Sequence, residues 1–168
     1  VAVGYNALTA NLKGNRTVAI GNGALMAQTF STITDSYNTA VGHFAGGSVT
    51  TGTNNVLIGG LAGDAITTGG SNTAVGRSAL GRVTTADNNT GIGNSAGAAI
   101  TTGGNNTIVG ALAGDAITTG DTNSVFGKSA LTTCTTGTNN TALGHNALGA
   151  LTTGTTNTVL GDQSGALI

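Results

Sequence analysis

Asn38-Thr39-Ala40-Val41-Gly42 is followed by Asn55-Val56-Leu57-Ile58-Gly59 and then by Asn72-Thr73-Ala74-Val75-Gly76. A large apolar residue followed by Gly recurs along the whole chain, with its Gly at 4, 21, 42, 59, 76, 93, 110, 127, 144 and 161. The first two gaps are 17 and 21 residues and every later gap is 17. The chain is thus ten repeats, the last incomplete, with four extra residues in the second. A short fixed period marks a stack of supersecondary units, each contacting its neighbours.

The columns of this repeat are numbered here from its Asn as position 1, and each repeat is treated as one coil. Position 1 holds Asn38, Asn55, Asn72, Asn89, Asn106, Asn123, Asn140 and Asn157. These predict a structural ladder, because stacked Asn amides can hydrogen-bond from coil to coil; an ordinary turn Asn in left-handed geometry is the alternative. Position 4 holds Val41, Ile58, Val75, Ile92, Val109, Phe126, Leu143 and Leu160 in the same coils, and is assigned to the core. Position 8 is Ala almost throughout, position 9 is only ever Leu or Gly, and position 12 is Val, Ile, Leu or Cys from Val49 onward.

Gly, Thr, Asn and Val dominate the unit, and these residues disfavour helix. Two short β segments are expected instead, at positions 2–5 and roughly 11–14, with turns between them. The fold class is therefore all-β: a parallel β-solenoid, or β-roll, of about ten 17-residue coils. At about 4.8 Å per strand it would extend roughly 45–50 Å. Composition agrees with a thin core, since the chain has no Trp, no Pro, 3% aromatic and 7% charged residues. Disorder is rejected because the apolar residues are so strictly placed. Positions 3 and 4 are both apolar in almost every coil, yet adjacent strand residues face opposite ways. One column can fill the coil; the other needs shelter, and a second copy of the chain is the simplest partner.

Residues 1–168 form a single repeat region, expected to be a fragment of a longer fibre because both ends stop within a repeat. The insertion lies within 26–37 and contains Phe30 and Tyr37, which make it a candidate interaction loop. A cap or kink near the end of the rod is the competing reading. Leu61–Gly69 and Leu112–Gly120 both read LAGDAITTG, an echo three repeats apart.

No residue set suggests chemistry. His43 and His145 share position 6 but lie six repeats apart, roughly 30 Å in a stacked rod. Asp64 and Asp115 share position 10, three coils apart, and the chain contains no Glu. Cys134 replaces Val, Ile or Leu at position 12 and reads as a small core residue. The sequence predicts no catalytic, cofactor-binding or metal-binding residues. A net charge of −1 with no charge run gives no footprint for nucleic acid or an anionic membrane. No apolar run is long enough to insert in a membrane as a helix.

The segments Thr17-Val18-Ala19-Ile20-Gly21, Asn38-Thr39-Ala40-Val41-Gly42 and Asn140-Thr141-Ala142-Leu143-Gly144 resemble the head repeats of YadA-like trimeric autotransporter adhesins. With the following Ala-Leu and Thr-Thr-Gly, the unit is still more similar to repeats of bacteriophage tail fibres and bacterial surface fibres. The resemblance covers essentially the whole chain. It implies a homotrimeric rod on a cell surface, in the extracellular space or on a virion, with a host or cell-surface receptor as a possible partner and no enzymatic activity. Two alternatives remain open on the residues alone: an extracellular filament of subunits stacked end to end, and an ice-binding solenoid using the Thr rows at Thr50-Thr51, Thr67-Thr68 and their equivalents.

Overall fold

The computed structural model describes residues 1–11 and 13–165; Leu12 and the last three residues of the predicted repeat region lie outside it. Among the described residues there is no helix, and the chain winds through about nine turns of a parallel β-solenoid. Strands β1 (Ala2–Val3), β3 (Val18–Ile20), β5 (Thr39–Val41), β6 (Val56–Ile58), β7 (Thr73–Val75), β8 (Thr90–Ile92), β9 (Thr107–Val109), β10 (Ser124–Phe126), β11 (Thr141–Leu143) and β12 (Thr158–Leu160) form one parallel sheet in that order. The register joins like positions, such as Ala40 with Leu57 and Val41 with Ile58. A two-stranded sheet of β2 (Gly14–Asn15) and β4 (Thr34–Asp35) lies in the first two coils.

Positions 11–14 do not form the second strand expected from the Thr and Val content. They contribute mainly the position-13 backbone rung instead, for example Thr67 N–H to Thr84 O at 2.8 Å and Thr118 N–H to Thr135 O at 2.8 Å. The remaining rungs depend on an unusual backbone. Among the described residues, all 23 non-glycine residues with positive φ fall in just three columns, positions 7, 9 and 17. That conformation turns each amide along the rod axis. Leu61 at position 7 donates back to His43 O (2.9 Å), Asn88 at position 17 donates back to Gly70 O (3.1 Å), and Leu80 at position 9 donates forward to Ala96 O (3.0 Å). A left-handed residue with a side chain costs roughly 1–2 kcal/mol. A satisfied backbone bond contributes about 1 kcal/mol, and leaving the group buried and unpaired would cost more. The rungs therefore make the strained columns tolerable.

The Gly at position 5 has a stricter cause. Its φ lies between 127° and 140°, outside the range of ordinary L residues. A Cβ on Gly42 would also stand 2.6 Å from the carbonyl oxygen of Gly59 in the next coil. Close axial stacking thus requires Gly in every coil.

The interior is filled by position 3, not position 4. Ala19, Ala40, Leu57, Ala74, Ile108, Val125 and Ala142 are fully buried, together with the Ala of position 8 and the aliphatic residues of position 12. Position 4 points outward: Ile20, Ile58, Ile92, Phe126 and Leu143 are 38–46% exposed. The buried Asn of position 1 decides the parity. In a strand residues 1 and 3 share a face, so an inward Asn places position 3 inside and position 4 outside.

Positions 3 and 9 share one volume. A Cβ on Gly46 at position 9 would meet Leu57 Cδ1 at 2.6 Å and Leu25 Cδ2 at 2.9 Å; one on Gly97 would meet both Leu80 and Ile108 at about 3 Å. Large residues at position 3 or 9 of one coil fill the gap left by Gly or Ala in the next. This explains why position 9 alternates only between Leu and Gly.

Candidate functional site

Two features dominate the inner and outer surfaces of the coil. The first is the Asn ladder. Each Asn from Asn55 to Asn157 donates its backbone N–H to the side-chain oxygen of the Asn in the preceding coil, at 2.9–3.1 Å. The side-chain amide of Asn38 through Asn140 also donates to the position-15 carbonyl of its own coil, at 2.7–3.0 Å. From Asn106 onward it donates to the preceding Asn Oδ1 as well. Each Asn therefore closes its own turn and joins it to the neighbouring turn. None of the ladder Asn residues has positive φ, so the role is not that of a left-handed turn residue.

The second feature is the outer face of the ten-stranded sheet. Positions 2 and 4 line it, Thr or another small residue beside Val, Ile, Phe or Leu. No strand of this sheet contains a charged residue. From coil 3 onward every Asp, Lys and Arg sits at positions 6, 10, 11 or 16 instead. An apolar column flanked by hydroxyls and free of charge over the whole length of the rod is a surface suited to being covered.

The insertion is built differently from what its aromatics predict. Thr29 is in the ordinary register, donating to Thr50 O at 2.9 Å, so the extra residues fall between Thr29 and Asn38. Phe30 is 8% exposed and lies over Gly14, which removes it from any recognition surface. It is buried because the insertion folds back to pair β4 with β2. Tyr37 remains half-exposed. Its ring lies under the Arg16 guanidinium, 5.3 Å from the centroid, its hydroxyl accepts a bond from Arg16, and Arg16 pairs with Asp35 at 3.3 Å.

Beneath the insertion, polar residues replace the aliphatic column. Asn11 and Gln28 occupy position 12, and Thr17 occupies position 1. Gln28 is fully buried, donating to Thr17 Oγ1 at 3.1 Å and accepting from the Asn38 amide at 2.8 Å. Thr17 and Ser36 share a 2.6 Å bond between hydroxyls, and the Ser36 hydroxyl accepts the Asn38 N–H. The ladder thus begins at Asn38 on a satisfied network.

The ionisable residues are dispersed. His43 packs edge-on against Phe44, and His145 bonds Asp162 of the next coil at 2.8 Å. No group of three His, Cys, Asp or Glu that could hold a metal occurs among the described residues. Cys134 is fully buried, and burial pushes its thiol above the ordinary value, with the Gly137 backbone bond opposing. Burial likewise raises the Asp64 carboxyl, opposed by a backbone hydrogen bond. Each Thr-Thr pair is divided between two roles. At position 13 the hydroxyls of Thr50, Thr67, Thr84, Thr101, Thr118 and Thr135 donate to the next coil's carbonyl. At position 14 Thr51, Thr68, Thr85, Thr102, Thr119, Thr136 and Thr153 form one exposed row.

The columns, not any single residue, could have disclosed these features in the sequence. The pairing of sizes between positions 3 and 9 is visible there once adjacent coils are compared. The buried state of Phe30 carries no sequence signal. No family model matches the chain, and neither a curated protein nor a solved structure is significantly similar to it.

Proposed function

We propose that the chain is a structural segment of an extracellular fibre or surface adhesin, of a bacterial cell or a virion, that works as a stiff rod assembled from identical copies. The observation that carries this reading is the uncharged outer sheet face with its continuous apolar column. In a single chain that column is left half-exposed to water. Burying about 25 cal/mol per Å² of apolar surface against another copy offsets this cost. The trimer implied by the resemblance is the assembly proposed, with the strand faces turned toward the shared axis. The rod is structural, not catalytic. Recognition of a host or cell-surface receptor would use rim residues such as Tyr37 or parts of a longer protein.

The mechanism is geometric. Each coil adds a fixed rise, the Asn ladder and backbone rungs resist axial stretching, and close side-chain packing resists bending. Ice binding takes second place because the position-13 hydroxyls already donate to carbonyls, leaving one exposed Thr row.

Sedimentation equilibrium tests the proposal. At high salt the wild-type chain should form a discrete oligomer, and I58D/I92D should give a folded monomer with an unchanged far-UV spectrum. A wild-type chain that stays monomeric at every accessible concentration would sink the reading.

A further inference from the structure

The repeated LAGDAITTG segments have a structural consequence. They place Asp64 and Asp115 at the same position of coils 4 and 7. Between them, at positions 7 and 10 of coils 5 and 6, the residues are small: Ser78, Gly81, Ser95 and Ala98. The result is a shallow groove running along the rod, formed by two adjoining depressions of about 190 and 320 Å³ with Asp64 at one end and Asp115 at the other. Position 6 carries a matching pair of opposite sign. Arg77 and Lys128 lie in coils 5 and 8, again three coils apart, with the smaller Asn94 and Ala111 between them. Among the described residues the ion pairs within one chain are Arg16–Asp35 and His145–Asp162, so all four of these charges lack an ionic partner.

We propose that parallel copies of the chain associate side by side through this charge-matched contact, with Arg77 and Lys128 of one copy meeting Asp64 and Asp115 of its neighbour. Both separations are set by the same coil rise, about 14 Å over three coils, so the two pairs close together. Each basic residue lies one coil above its acidic partner. That step of about 4.8 Å is the same for both pairs and within reach of the long Arg and Lys side chains. The small residues at Asn94 and Ala111 let the basic column settle over the groove.

Symmetry fixes the direction of the rods. Antiparallel copies related by a two-fold axis would set each column against itself, basic on basic and acidic on acidic. Unlike columns meet only when the rods are parallel. The two pairs are not equal. Arg82 lines both depressions and opposes an incoming cation at either end, so it does not distinguish them. Asp115 is held by the Thr132 hydroxyl at 2.6 Å. Lys128–Asp115 is therefore the stronger contact.

The inference rests on the self-association proposed above but uses a different face, so the experiment uses both the wild-type chain and the folded I58D/I92D chain. Association is measured by sedimentation velocity at low and high salt. R77E/K128E should weaken low-salt association about ten-fold, as two exposed pairs turned repulsive predict. D64K/D115K should do the same, and the fourfold swap should restore it. K128E should exceed R77E in effect, and should be rescued by D115K but not by D64K. Salt-sensitive association that survives in the I58D/I92D chain supports this contact even if the strand-face reading fails. In the I58D/I92D chain, no low-salt association or association that ignores salt would overturn it, as would a fourfold swap without recovery in a folded chain or rescue of K128E by D64K.

Discussion

The first two coils and the regular coils from Asn38 onward solve the same problem with different materials. In the regular part, a single Asn column is repeated without interruption beside apolar columns at positions 3 and 12, with Leu or Gly at position 9. In the first two coils, Gln28, Thr17, Ser36 and Asn11 replace parts of those columns. An additional pair of strands and the buried ring of Phe30 complete the packing. The difference teaches that a solenoid interior accepts polar residues only where every donor and acceptor has a partner. Every buried side-chain polar atom among the described residues is satisfied. The regular coils achieve this by periodicity, and the first coils by a local network that cannot be repeated.

Several substitutions break or sharpen this contrast. The largest effect is expected from Gly93→Ala. It meets both a backbone φ of 132° and the Gly110 carbonyl 2.6 Å from the new Cβ, so the coils must separate. A loss of about 4 kcal/mol or more is predicted by denaturant unfolding. Asn106→Leu should follow, at roughly 3–4 kcal/mol, because it orphans the Asn123 N–H and the Gly120 carbonyl in the buried ladder. Hydrogen exchange should show the loss spreading to the coils on both sides.

At the irregular start the effect should be smaller and more local. Gln28→Ala removes two bonds and leaves a small void, at an expected cost of about 1–2 kcal/mol. Its exchange signature should stay within the first three coils. If Gln28→Ala proves as damaging as Asn106→Leu, the first coils are the nucleus of the fold and not its margin. The exposed Arg16→Ala should cost less than about 1 kcal/mol.

The smallest effect concerns pH. The Asp64 carboxyl is raised by burial, so the folded state holds its proton more tightly than the unfolded chain. That contribution favours folding below the unfolded pKa and is lost as pH rises through the folded one. Relative to Asp64→Asn, the wild-type chain should therefore lose a little stability as pH rises through the carboxylate range. Thermal unfolding in the isolated monomer at low protein concentration reads the difference. A variant less stable than wild type in neutral buffer would contradict the burial cost.

The comparison also shows where sequence reading succeeds. Periodicity located each coil, each invariant Gly and the buried Asn column, because every coil repeats the same packing problem. It gave less at the insertion, where Phe30 and Tyr37 were equally plausible surface residues. Burial there depends on β4 folding back against β2, a contact with no periodic counterpart.

By itself the sequence determined the coil length, the stacking direction of like positions, the parallel all-β class and the columns available to build a core. Only the tertiary structure decided that position 3 faces inward and position 4 outward, since both are apolar and local pattern cannot separate them. It also reduced the expected second strand to little more than the position-13 rung and showed why position 9 is Leu or Gly. The physical reason is common to all three: they depend on what the neighbouring coil places against each residue, and that is a matter of packing between turns, not of the residue itself.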